Sequence, residues 1–294
     1  MNYSIELLRL ASILLIIFSH TRHNIDQGIY YVIFAVIPTY GTAILSIISG
    51  FLFSEYSSKK NNLLNKKIKT LLIPFIISNV LIIIIVCLLK VFGYEYINRL
   101  SFDLSLITEG LLSLNSEPIN PPTYFIRDIF LLFCILAFFK KNYYSLIFIL
   151  PYLLFGTLFL RMDVILLFVC GWIISTLKIY IYEKQKILIN ILFLVCFFLI
   201  FTKELYILKF FSAILIFILL FNVKIKFYNV GGFSYLLHLY HVPIIVLIHP
   251  ILLKYFSNDV IIVLLQFFIT VFTLYVTHRL LKYYRIGIIT GHRL

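Results

Sequence analysis

The chain has 294 residues, of which 62% are hydrophobic and only 13% charged, and its mean hydropathy is +1.05. A soluble domain carries about 25% charged residues, so too little polar surface exists here to cover a folded body in water, and the bilayer is the expected solvent. The net charge of +13 and the pI of about 9.5 would suit nucleic acid. Basic residues collected on cytoplasmic loops explain them more simply, and no nucleic-acid partner is expected.

In chain order, apolar runs recur near 5–20, 29–53, 71–92, 124–139, 143–161, 162–182, 187–202, 205–223, 233–255 and 259–281. A spanning helix needs about 20 residues. The expected architecture is therefore an all-α polytopic membrane protein of about ten transmembrane helices. It forms one transmembrane domain over 1–294, with no separate soluble domain. With the N-terminus inside, sixteen Lys and Arg residues fall on inner connections or the C-terminal tail and seven on outer ones, while most acids lie outside. That asymmetry places both termini in the cytoplasm. No cleavable signal peptide is expected, because Glu6 and Arg9 interrupt the first apolar run. Cys87, Cys134, Cys170 and Cys196 sit inside apolar runs without a metal-like spacing and read as buried thiols.

The longest outer connection, 93–123, combines an amphipathic stretch over 101–114 with Pro118, Pro121 and Pro122. The prolines predict a fixed turn back to the membrane. A plain linker and a lid over an outward-facing site are both compatible with it.

Ionisable groups in the hydrocarbon are costly and mark functional candidates. Arg9 and His20 are eleven residues apart, three turns of about 3.6 residues, so a continuous helix presents both on nearly one face. Glu6, one turn before Arg9, can pair with it. Taken singly, Arg9 also reads as a snorkelling anchor and His20 as an interfacial residue. His238 and His241 share a face at i, i+3, a spacing that could bind metal, but no third ligand accompanies them and no metal is expected. Proton handling or hydrogen bonding into a polar cavity fits them better. Arg127 and Asp128 are adjacent, so helical phase points them toward different partners; an aromatic belt with a snorkelling arginine is the plainer reading. Lys59, Lys60, Lys66, Lys67 and Lys69 satisfy topology alone, or form a docking patch for a polyanion such as coenzyme A. No Walker-type or Gly-rich phosphate loop is present.

These residues, in this order, resemble the acyltransferase-3 family of integral membrane acyltransferases. Arg9 and His20 resemble its arginine-x10-histidine signature. Ser49, Gly50 and Phe51 resemble its serine-glycine-phenylalanine segment, and the stretch 66–74 its basic run before the third helix. Tyr124, Phe125, Ile126 and Arg127 resemble its tryptophan-phenylalanine-leucine-arginine motif, with Tyr124 in place of tryptophan. Gly171 and Trp172 resemble its glycine-aromatic pair. Ser234, Tyr235, Tyr240, His241 and Pro243 resemble its last motif, with His238 where tyrosine is common.

The resemblance implies a membrane O-acyltransferase in a bacterial inner membrane. It would move an acyl group, acetyl in the commonest case, from cytoplasmic acyl-CoA to a hydroxyl of a cell-surface or lipid-linked glycan. Acyl-CoA is a donor substrate and no resident cofactor is expected. Lys66, Lys67 and Lys69, with Arg9, would hold the nucleotide phosphates. His20 would act as general base, with Arg9 orienting the donor or, through Glu6, the helix. Arg127, His238 and His241 would shape the outer half of the site. A lipid-linked oligosaccharide flippase without acyl transfer is the alternative, although no repeat between chain halves supports it. A glycan polymerase would bring a larger outer loop than 93–123.

Overall fold

The computed structural model describes residues 3–58, 62–91, 101–139, 151, 158–202, 205–221, 223 and 226–292. Among these, the regular structure is entirely helical. Among the described residues, five helices are long and apolar enough to cross a bilayer: Gly28–Ser57, Leu63–Val91, Pro121–Phe138, Gly231–Tyr255 and Asp259–Tyr283. With the shorter helices, the labels in chain order are α1 (Tyr3–Ser19), α2 (Gly28–Ser57), α3 (Leu63–Val91), α4 (Pro121–Phe138), α5 (Met162–Thr176), α6 (Lys178–Glu183), α7 (Gln185–Thr202), α8 (Leu205–Leu220), α9 (Gly231–Tyr255) and α10 (Asp259–Tyr283). The apolar run at 143–161 lies almost wholly outside the described residues.

The chain divides into two compact units. One comprises 1–19, 25–61 and 163–234, and the other 20–24, 62–162 and 235–294. The chain passes from one unit to the other at 19/20, 24/25, 61/62, 162/163 and 234/235.

In the first unit, Ile5 and Leu8 of α1, Ile44, Ile47, Ile48 and Phe51 of α2, Leu167 and Ile174 of α5 and Phe217 of α8 form one continuous core. The helices approach closely because side chains are missing at the crossings. A Cβ on Gly50 would strike the backbone carbonyl of Phe168, and one on Gly171 would strike that of Ile47. These two glycines, each part of a sequence motif, are the two halves of one crossing between α2 and α5. Gly41 likewise meets the Ser12 carbonyl of α1. Beside the crossing, Phe53 lies edge-on to Trp172 with ring centres 5.0 Å apart. Pro38, lacking an N–H, interrupts α2 with a 3-10 turn at Ile37–Thr39, preceded by a wider π turn at Val32–Val36.

The second unit adds buried polar contacts to its apolar packing. Residues 101–123, rather than lying beyond the helix ends, pack back along α3: Leu106 and Ile119 meet Ile82, Ile83 and Val86. The segment then reaches Asn79, whose Nδ2 donates to Thr123 Oγ1 at 3.2 Å and whose Oδ1 accepts the Asn120 N–H at 3.2 Å. Earlier in the segment, the N–H groups of Asn115 and Ser116 donate to Glu109, and the Asn115 amide leads in holding that carboxyl below its ordinary range. The Ser101 hydroxyl leads in doing the same for Asp103. At the other end of α3, the C-terminal turn at Ile288–Thr290 packs beside Thr70, whose carbonyl sits against Gly291 at φ +62°. α10 opens on Asn258, whose side chain caps the N–H groups of Val260 and Ile261.

Candidate active site

α1 ends at Ser19, so His20 opens the following turn and its position comes from that turn rather than from helical phase with Arg9. The turn is clamped two residues later. The Arg22 N–H donates to Gln266 Oε1 at 2.9 Å, and Gln266 Nε2 donates back to the Arg22 carbonyl at 2.8 Å. Gln266 is fully buried, as is Thr270 one turn on along the same face of α10. A lone amide within the apolar run 259–281 was the available sequence signal for this clamp.

His241 of α9 is fully buried, and its ring centre lies 5.1 Å from that of His20. His238 is also buried, 6.4 Å from His241 and edge-on to Phe125 at 5.6 Å. The i, i+3 spacing does bring the two α9 histidines to one face, and His20 joins them. Among the described residues no group of three His, Cys, Asp or Glu side chains has metal-holding geometry.

Pro243 explains how α9 is anchored here. In a regular helix the carbonyl of Leu239 would accept from the N–H of residue 243, and proline has none. The side chain of Asn120 supplies the missing donor at 2.7 Å. Thr123 in turn donates to the Asn120 carbonyl at 2.8 Å, and Asn79 braces both. Asn79, Asn120 and Thr123 are almost fully buried. Being uncharged, they escape a search for ionisable groups, although the Asn120-Pro121-Pro122 turn marks one of them.

Arg127 and Asp128 pair with each other as well as serving separate partners. They form a buried ion pair at 2.7 Å, because the long arginine side chain curls back over the angle between adjacent helical positions. Arg127 also donates to the Leu158 and Leu114 carbonyls, and Asp128 accepts the N–H groups of Leu160 and Arg161. The pair thus pins two non-helical stretches to α4. Beside it lies an apolar cavity of about 530 Å³ lined by Leu72, Phe75, Ile126, Phe130 and Leu158.

In the first unit, Arg9 Nη1 pairs with Glu6 Oε1 at 2.7 Å, as the one-turn spacing predicts. Both lie at the start of α9, within 4 Å of where a Gly231 side chain would stand. Asn229 caps that helix by accepting the Gly231 N–H at 3.1 Å. A carboxylate there is favoured by the helix dipole. Of the basic run, Lys66 and Lys69 are exposed, and Lys67 lies over the Phe133 ring at 3.8 Å. Lys59 and Lys60 lie outside the described residues.

Long apolar helices that enclose histidines, amides and an ion pair define an integral membrane protein with a polar interior. The model of the acyltransferase-3 family, an acyltransferase domain, matches residues 2–279, and the chain belongs to that family. It is a membrane acyltransferase. No curated protein and no solved structure matches it.

Proposed function

We propose that the protein transfers an acyl group, acetyl in the first instance, from cytoplasmic acyl-CoA to a hydroxyl of a cell-surface or lipid-linked glycan, in a bacterial inner membrane with both termini inside. The observation that carries this reading is His20, held by the Gln266 clamp beside the buried His241. A general base needs a fixed imidazole within reach of the proton it removes. In the step proposed, the sugar hydroxyl oxygen attacks the thioester carbonyl while His20 takes its proton. The C–S bond breaks, and the same proton passes to the departing thiolate, leaving free coenzyme A and the ester. Lys66 and Lys69, exposed at one end of α3, offer cations to the nucleotide phosphates, with Lys67 beside them. Arg9, fixed by Glu6 and with its side chain 22% exposed, is the second cationic group assigned to the donor.

A general base contributes about 10²–10⁴-fold to rate. A His20→Ala protein that inserts at normal levels should therefore lose acceptor acylation by that order, read by mass spectrometry of surface glycan. Unchanged acylation removes the proposal, and loss of the glycan itself favours a flippase.

A further inference from the structure

The ring of His241 is fixed in a way that determines which of its nitrogens is available. Its Nδ1 lies 2.8 Å from the carbonyl of Leu237, four residues back on α9. A carbonyl only accepts, so Nδ1 carries the proton. In the neutral ring the lone pair is then on Nε2, the nitrogen away from the helix backbone. Nε2 is fully buried and meets no hydrogen-bond partner among the described residues. A buried acceptor without a donor is costly, and such an atom needs an explanation in a native structure. The neighbouring ring is His20, at 5.1 Å between centres and a 53° tilt. Two imidazoles joined by a linear N–H···N bond of about 2.9 Å have their centres about 5 Å apart. The separation of the two rings matches that distance, and a turn of the His20 ring that brings an N–H toward Nε2 would complete the bond.

Resting on the acyl-transfer reading for its catalytic meaning, we infer that His241 is the positioning residue for His20: its Nε2 accepts the N–H of the His20 ring. That bond leaves the lone pair of His20 on its other nitrogen, facing the acceptor hydroxyl. When His20 takes the hydroxyl proton it becomes an imidazolium whose existing N–H still rests on Nε2 of His241. His241 neither gains nor loses a proton, and no co-reactant is needed. It holds one tautomer and steadies the charge that develops on its neighbour, the task that a third group performs behind the base in nucleophilic triads. The Leu237 bond sets the ring, and the Asn120–Leu239 bond two residues further on holds this part of α9 at its proline break.

The test uses the full chain in nanodiscs with ¹⁵N-labelled histidine, the His20 signal being assigned by its loss in His20→Asn. The wild type should show His20 as one tautomer. His241→Phe keeps a ring but offers no acceptor and should give a mixture, and His241→Gln, whose amide can reach the Nε2 position, should restore the single form. Should the phenylalanine variant fail to insert, His241→Asn takes its place, since its shorter amide reaches Leu237 but not His20. In acetyl-CoA turnover the variants lacking the acceptor should lose kcat by about 100-fold with KM within about twofold, a loss of the size expected of general acid–base machinery. His241→Gln should stay within about tenfold of wild type. A His20 tautomer that ignores residue 241, or a fully active phenylalanine variant, overturns the inference. The tautomer signal does not depend on turnover, so a wild type that shows the single tautomer but transfers no acyl group breaks the acyl-transfer reading alone.

Discussion

Two regions of this chain, one in each unit, bring apolar helices together by different means. In the first, side chains are removed: Gly41, Gly50 and Gly171 let backbones meet where any Cβ would collide. In the second, side chains bridge: Asn79, Asn120, Thr123, Arg127 and Asp128 join helices and non-helical segments through buried hydrogen bonds. Lipid competes equally well for any apolar face, so in a bilayer specificity must come from close approach or from polar pairing. The glycine-packed unit adds to these close crossings a polar bridge at one end, where Glu55 of α2 accepts from Ser175 of α5 and from Lys178. The unit that contains His20, His238 and His241 packs irregular backbone among its helices, and buried irregular backbone requires partners.

Three perturbations separate these means, all read as thermal unfolding of the full chain in nanodiscs. The largest effect belongs to Asp128→Ala, which leaves Arg127 buried without its counter-charge and should cost about 3–5 kcal/mol. A change below 1 kcal/mol would show that the carbonyls of Leu114 and Leu158 suffice. Next, Gly50→Ala and Gly171→Ala should each cost about 2–3 kcal/mol, because the obstructing atoms are backbone and cannot rotate away. They are two sides of one crossing, so the double variant should cost less than their sum. Strict additivity would mean two independent contacts. The smallest effect is Asn120→Ala, about 1–2 kcal/mol from an orphaned carbonyl. It should shrink by about half in a Pro243→Ala background, where residue 243 regains an N–H for Leu239. Equal costs in both backgrounds would remove the proline explanation.

Among the described residues the helix positions are legible from apolar runs, and Glu6–Arg9 follows from a one-turn spacing. His238 and His241 also followed from periodicity, but the arrival of His20 beside them did not, since it depends on a turn and on Gln266 across the sequence. Hydropathy reports which segments lipid accepts; it is silent on which backbone groups inside those segments lack partners. Asn79 and Asn120 are therefore nearly invisible to it. Helical phase gives Arg127 and Asp128 separate partners, which they have, but it misses their mutual pair, because it describes where Cβ points and not where a long guanidinium ends. Gly50 and Gly171 belong to separate sequence motifs, and only the crossing gives them a common physical cause.

The Pro243 break also has a consequence in time. Membrane helices enter the bilayer in chain order, N-terminal segments first. The carbonyl of Leu239 would enter hydrocarbon unsatisfied, at a cost of several kcal/mol, unless its donor were already there. Asn120 lies 119 residues earlier, and its own partners Asn79 and Thr123 also precede α9, so all three are made before it. The earlier-made half of the second unit thus serves as a receptor for the later one, and α9 completes its own backbone only by finding it.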